Sequence, residues 1–314
     1  MNELLTPNGF TVIADEPNEV YHDQPLHMVS QTRLTAFSRS PRLYRYGPRE
    51  ETEAMREGTA LHCAILEPER FAEDYVVLPE LSEWRSKADK RANIETLAKA
   101  LGCALMESEI DDLTSQRKEE ILAYVQGRAE VFAVVSNTFK AQMQAAREAI
   151  ARHTVARLLM ASEGYSELVF RSAVLRAGYA VQCRCDRFLP DFEGVPTIID
   201  LKKIADVTNW RKHMHAFGYY RAPEFYRRTV RAATGYDGPI RFLFVFVELP
   251  KADEPAGIIV VENDADTDEL AGIEIAQDLS LYAQMLQSGD WSDPWENSIH
   301  GYSAPAWKRR EVGL

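Results

Sequence analysis

The stretch "IRFLFVFVEL", residues 240–249, is apolar at nearly every position. A strand with one wet face alternates apolar and polar residues, whereas a strand without alternation has both faces covered. This run therefore predicts a central strand, which restricts the chain to a layered α/β architecture. Three neighbouring stretches do alternate: "YSELVFRSA" (165–173), "GYAVQCRCDRFLP" (178–190) and "GVPTIIDLKK" (194–203), the last two separated by a turn at Asp191–Gly194. They predict an antiparallel meander. "AGIIVVEN" (256–263) is expected to pair beside the central strand.

Helical patterns surround these strands. Ser30 or Thr32 is placed to cap a short helix running to Ser40, with Pro41 next. "ETEAMREGTALHCAIL" (51–66) reads as a helix with Gly58 and His62 on one face. An interior glycine costs about 1 kcal/mol against alanine and is best tolerated where something must approach the backbone. Residues 90–160, rich in Ala, Glu, Leu, Lys and Gln, predict three helices at 91–102, 107–126 and 136–160. Another helical segment is expected at 206–234, and "DELAGIEIAQDLSLYAQML" (268–286) as a closing amphipathic helix, with Leu270, Ile273, Tyr282, Met285 and Leu286 as its apolar contacts. Residues 1–29 and the tail after 297 read as irregular. The simplest account is one mixed α/β domain over 30–314, a central sheet flanked by helices, with a helical insertion at about 85–160.

The net charge of −12 argues against a nonspecific nucleic-acid coat, so any phosphate contact must be local. Three basic clusters stand out, at Arg39–Arg49, at Trp84–Arg91 (with Arg85 and Lys87) and at Arg221–Arg231. A solvated helix face is the commoner explanation of each. No apolar run approaches the ~20 residues that span a bilayer. The start, "MNELLTPNGFTVIADEPNE", lacks the basic and apolar regions of a signal peptide, so the expected compartment is the cytoplasm. Cys63, Cys103, Cys183 and Cys185 fit a reducing environment. Cys183 and Cys185 lack the second close pair of a zinc site and read as core.

The polar residues of the meander carry the chemistry. Glu167, Asp186 and Asp200 lie on successive strands, and Lys202 shares a face with Asp200 because the strand period is two. A surface ion pair explains Asp200 and Lys202 as well as a catalytic site does. Three converging carboxylates without a cation repel, and one is driven to protonate. A hard divalent cation such as Mg²⁺ removes that conflict and is commonly held by carboxylates, water and substrate phosphate. Lys202 would then orient or help deprotonate an attacking water and balance phosphate charge.

Asp186 followed by "IIDLKK" resembles the D…(D/E)xK signature of the PD-(D/E)xK nuclease superfamily, and "GTALH" (58–62) is similar to the GxxxH motif of its RecB-like branch. "LTAFSRSPRLYRYG", "SELVFR", "CRCDRFLP", "FGYYRAPEFY" and "SAPAWKRR" follow the order found in RecE-type (exonuclease VIII-like) phage and prophage exonucleases, over most of residues 30–310. The resemblance implies that Asp186, Asp200 and the Leu201 carbonyl bind metal and that Lys202 is catalytic. It makes His62 a metal ligand or its neighbour; a satisfied helix-face histidine is the alternative. Glu167 matches an acidic position of the family, although a strand-edge carboxylate explains it nearly as well. Lys203, Tyr219, Tyr220, Arg221 and Tyr226, with Arg85 and Lys87, are the candidate DNA contacts. The implied cofactor is Mg²⁺, or Mn²⁺. No iron–sulfur cluster is expected, because no cysteine follows Cys185.

One departure concerns the helix after the DxK strand, where the family carries a Gln and a Tyr four residues apart. Tyr226 is kept, but Ala222 stands at the Gln position and Pro223 follows. Tyr219, Tyr220 and Arg221 are possible substitutes for the missing Gln. His213 and His215 do not face one another on a helix and read as surface or groove residues. Trp210, Phe217, Tyr219 and Tyr220 could stack on DNA ends or belong to the core.

The resemblance implies a 5′-to-3′ exodeoxyribonuclease on linear double-stranded DNA, working as an oligomeric ring with a single-strand annealing protein in phage-type recombination. The alternatives are a catalytically impaired nuclease fold that binds DNA or protein, and an endonuclease on branched or single-stranded DNA.

Overall fold

The computed structural model describes residues 11–14, 16–48, 52–128, 133–173, 177–250, 254–296 and 298–313. Residues 1–10 of the segment expected to be irregular, and Arg49 of the first basic cluster, lie outside them.

The segment before residue 30 is more ordered than its sequence suggests. It forms β1 (Thr11–Ile13), α1 (Asn18–His22) and β2 (Met28–Val29). β1 supplies an edge strand of the main sheet, and β2 pairs in parallel with the strand that begins at Ala180. Two or three residues carry too little periodicity to be read as strands; their pairing partners lie over 150 residues away. Ser30 caps α2 (Gln31–Arg39), its hydroxyl accepting from Arg33 N, and Ser40 caps α3 (Pro41–Tyr46), where proline opens the first turn. Thr52 caps α4 (Glu53–Leu66), and α5 (Pro68–Asp74) leads into β3 (Tyr75–Val77).

The insertion follows as α6 (Lys87–Ala100), α7 (Glu107–Leu113) and α8 (Lys118–Gln126). The helix expected at 107–126 is thus broken near Thr114–Arg117, and Glu120 recaps the chain through the Arg117 backbone N–H. These helices enclose a small core of their own, built on Ile94, Leu97, Ile110, Leu113, Ile121 and Val125. β4 (Ala133–Val135) returns to pair in parallel with β3, a two-stranded sheet the sequence did not announce. Then come α9 (Asn137–Arg152) and α10 (Thr154–Ala161), separated where His153 ends one helix and caps the next.

The meander forms as expected: β5 (Tyr165–Arg171), β6 (Ala180–Phe192) and β7 (Val195–Ile204) are antiparallel neighbours. α11 (Trp210–Ala216) and α12 (Ala222–Thr234) replace the single helix expected at 206–234. The break falls at Gly218, whose φ of 67° is left-handed. β8 (Arg241–Glu248) then pairs in parallel with β7, and β9 (Ile258–Val261) pairs antiparallel with β8. The result is a mixed sheet in the order β1-β5-β6-β7-β8-β9, with β2 attached to β6.

β8 is covered on both faces. Leu243, Val245 and Val247 pack with Leu61, Ala64, Ile199 and Leu201 on the α4 and α9 side. Phe242, Phe244 and Phe246 pack with Ile198, Ile204, Met214 and Val230 on the α11 and α12 side. α13 (Ala265–Ser288) closes the fold, and α14 (Ala306–Glu311) gives the tail a short helix where none was expected. Leu270 and Ile273 are about half exposed, contrary to the expected contact face. α13 instead buries Ala271, Gly272, Ile275 and Tyr282. A Cβ at Gly272 would lie 2.9 Å from Arg228 Nη2, so small residues face α12 where the helices come close. No described helix is long and apolar enough to cross a membrane.

Candidate active site

The strand register sets the acids in a row. Ser166 pairs with Arg187 and Leu168 with Cys185, which leaves Glu167 opposite Asp186. On the other side the ladder reaches Arg187 with Ile199 and stops, so Asp186 and Asp200 meet where β6 and β7 part. Asp186 Oδ2 accepts from Leu201 N at 2.7 Å, satisfying a backbone donor with a carboxylate. Glu167 itself has a left-handed φ of 50°. That conformation costs a residue with a Cβ on the order of 1–3 kcal/mol and recurs at functional sites.

The opening between β6 and β7 brings groups together from both faces of the sheet. His62 arrives on α4, whose neighbours Ala60, Leu61, Cys63 and Ala64 pack on the β7 and β8 side chains of that face. Its Nε2 lies 2.7 Å from the Leu201 carbonyl. A carbonyl only accepts, so Nε2 donates its proton there, and Nδ1 faces Asp186 Oδ2 at 3.6 Å. The Leu201 oxygen, expected to face a metal, thus receives the histidine N–H. From the opposite face Lys202 Nζ reaches Asp200 Oδ2 at 2.6 Å and lies 5.7 Å from the Tyr219 ring centroid. Gly58, one turn before His62, has nothing among the described residues beyond its own helix turn within 4 Å of where a Cβ would stand. Packing does not require this glycine; the space beside it is open.

The charges are only partly compensated. Burial pushes the Asp200 carboxyl up to about 6; Lys202 opposes the rise and Asp186 adds to it. Burial also lifts Glu167 to about 7, with Asp186 adding and Arg184 opposing. Burial alone would depress Lys202, but the charges of Asp200 and Asp186 outweigh it and hold the ammonium above the usual lysine range. Asp200 Oδ2 is buried and accepts no well-directed hydrogen bond, its only close partner being the Lys202 ion pair. Glu167 is held by Arg184 Nε at 2.9 Å. Arg184 is braced by Asn18 Oδ1 at 2.8 Å and by the Tyr21 ring, 4.5 Å from its guanidinium carbon. The alternation of "CRCDR" placed Arg184 beside Asp186, but nothing in the sequence near Asn18 and Tyr21 marked them as its supports.

These residues fit a divalent cation. One ligand atom each from His62, Glu167 and Asp186 lies within 4.8 Å of the others. Two carboxylates and an imidazole nitrogen suit such an ion, and the buried Asp200 oxygen nearby lacks a full complement of donors. Asp200, expected as a ligand, faces Lys202, while Glu167 joins the cluster.

The candidate DNA contacts are placed unevenly. Arg85 is bound to Glu83, and Lys87 opens α6; both belong to the insertion. Lys203 pairs with Glu57 on α4. Tyr220 donates to Glu274 Oε2 at 2.7 Å. Arg221 is buried, paired with Asp278 and 3.1 Å from Ser38 Oγ, so its guanidinium ties α13 to α2. Tyr226 donates to the Arg184 carbonyl at 3.3 Å and packs edge-on against Phe242. Ala222 is buried at the start of α12, and Pro223 is accommodated in the first turn. Of this group Tyr219 alone contacts Lys202.

The sequence matches the model of the PDDEXK-like domain of unknown function (DUF3799) over residues 42–298, more than three quarters of the chain. The chain belongs to this family. The match gives the chain a PD-(D/E)xK-like fold, that of a nuclease superfamily whose members use divalent metals. No curated relative matches this PDDEXK-like chain. Among solved structures it is similar to a "Putative exonuclease" from Eubacterium rectale, at 13% identity and a TM-score of 0.55, covering 96% of this chain and 99% of the other. That likeness extends the shared fold across nearly the whole molecule. A phage-related exonuclease from Haemophilus somnus 129PT matches at 14% identity over 63% of this chain and 95% of its own; its TM-score of 0.28 adds no weight.

Proposed function

We propose that this PDDEXK-like chain is a metal-dependent exodeoxyribonuclease of RecE type that degrades linear double-stranded DNA from 5′ to 3′. The observation that carries the nuclease reading is the row Glu167–Asp186–Asp200, with His62 on one side and Lys202 on the other. Structural ion pairs are normally complete, whereas this cluster holds more buried carboxylate than its own cations neutralise.

His62, Glu167 and Asp186 would hold Mg²⁺ or Mn²⁺, with Asp200 and the second lone pair of the Leu201 carbonyl completing the surroundings. The bound cation supplies Lewis-acid polarisation of the phosphate and a more acidic water. The chain's own residues do the rest. Lys202 stays protonated and offers its ammonium to a phosphate oxygen as charge builds there. Asp200 fixes that ammonium in place. The Leu201 carbonyl holds the His62 tautomer, and Arg184 holds Glu167. The imidazole nitrogen in the set makes Mn²⁺ at least as good a fit as Mg²⁺. By analogy with the family, the products feed a single-strand annealing protein and the chain acts as a ring in the host cytoplasm.

The test is digestion of linear duplex, labelled at the 5′ or the 3′ end, with Mg²⁺, Mn²⁺ or EDTA, beside a covalently closed circle. The expected result is metal-dependent loss of the 5′ label from linear DNA, an intact circle, and no digestion by Asp200→Ala. Cleavage of the circle would turn the reading to an endonuclease, and intact linear DNA with either metal would overturn it.

A further inference from the structure

The side chain of Lys202 is 24% exposed, and beside it a ladder of rings leads to the surface. Tyr219 lies beside the lysine, and Phe217 is stacked on Tyr219 with centroids 5.4 Å apart at 26°. His213 leans on Phe217 at 5.3 Å. Phe217, the outer ring, is 46% exposed, although the same segment buries Met214 to 8%. An isolated exposed phenylalanine needs no explanation. One that terminates an aromatic path from the candidate catalytic lysine does.

The surface around it is cationic in a chain of net charge −12. Arg211 and Lys212 on α11 are exposed, and among the described residues neither forms an ion pair. Arg211 instead lies over Trp210, its guanidinium carbon 4.3 Å from the ring. The acid nearest to them in sequence, Asp206, is engaged with Thr208 and Asn209. Stacking rings beside unpaired cations is the composition that single strands recognise, because every base has a flat face and every linkage a negative charge.

We propose that Phe217 is the stacking platform for a single-stranded DNA end, that Arg211 and Lys212 take its phosphates, and that Tyr219 aligns the strand toward Lys202. This rests on the nuclease reading for the destination of the strand, but not for its binding. A duplex keeps its internal bases stacked on one another and offers Phe217 only its terminal pair, so the platform favours a frayed or single-stranded end over a blunt one.

The test is fluorescence anisotropy in EDTA, with labelled oligothymidylate and a blunt hairpin duplex as the two probes. The variants are Phe217→Ala, Phe217→Trp and the double change Arg211→Glu/Lys212→Glu. Phe217→Ala is expected to weaken oligothymidylate binding about tenfold and hairpin binding less than about twofold, while Phe217→Trp keeps wild-type affinity. The double change is expected to weaken both probes and to flatten the salt dependence. Unchanged unfolding temperatures verify that the exposed substitutions leave the fold intact. The proposal is overturned if wild type does not bind oligothymidylate, if Phe217→Ala binds it as wild type does, or if Phe217→Ala weakens both probes equally. Because no metal is present, these outcomes are separate from the digestion assay: binding can survive when cleavage fails, and the reverse.

Discussion

The opening between β6 and β7 and the helical segment after β7 are both rich in charge, yet they treat it oppositely. From Arg221 onward in the helical segment cations meet anions: Arg221 with Asp278, Arg227 with Asp268, Arg228 with Glu224. In the strand opening burial lifts Glu167 and Asp200 above their ordinary range, and the charge of Asp186 adds to a rise that Arg184 and Lys202 oppose without cancelling. Completed pairs hold the fold together. Incomplete ones leave room for an ion and a phosphate, at a cost the surrounding sheet must cover.

Breaking the strand cluster should abolish activity without unfolding the chain. Asp186→Ala, Asp200→Ala or Lys202→Ala is expected to lower the rate of DNA cleavage by roughly 100- to 1,000-fold, the scale of losing one preorganised charge, with unchanged circular dichroism. Breaking the helical region should do the reverse. Arg221→Ala leaves Asp278 unpaired beneath α13 and is expected to cost about 3 kcal/mol of stability in urea unfolding, while cleavage per folded molecule stays near wild type. A large activity loss at unchanged stability would return Arg221 to the DNA contacts.

Next in size is linkage between metal and folding. Mn²⁺ at about 100 times its dissociation constant should stabilise wild type by about 2.7 kcal/mol and Asp186→Ala by far less. The same acids give the metal-free protein a pH signature. Their raised values mean that the fold favours the protonated forms. That contribution is complete below the ordinary carboxylate range and is lost as pH rises through about 6 for Asp200 and about 7 for Glu167. Metal-free wild type should therefore melt lower at high pH than in mild acid, and Asp200→Asn should show a flatter profile. The smallest effect is expected at Gly58. Alanine there should stabilise α4 by about 0.5–1 kcal/mol and weaken DNA binding if a strand uses the open space beside it.

How much of this was legible in the sequence depended on range. β8 was readable because burial on both faces erases alternation, and the lysine and acid of β7 were readable because the strand period is local. The helix cap at Ser30 was equally local. Glu167 was visible as an acid on β5, but not its left-handed backbone at the gap in the β5–β6 register opposite Asp186. β1 and β2 were missed because their pairing is wholly long-range. Arg221 looked like a phosphate ligand because its acids lie on α13, more than 50 residues on. Leu270 and Ile273 misled because close helix packing selected Ala271 and Gly272 over larger side chains.

The central claim is that His62, Glu167 and Asp186 form a cation site beside Lys202. A crystal grown with Mn²⁺ and measured at the manganese absorption edge tests it most directly. The account predicts an anomalous peak bounded by His62 Nδ1 and the carboxylates of Glu167 and Asp186, lost in Asp186→Ala. Saturating Mn²⁺ with no peak there, or with a peak only among surface acids away from the β6–β7 opening, would contradict it.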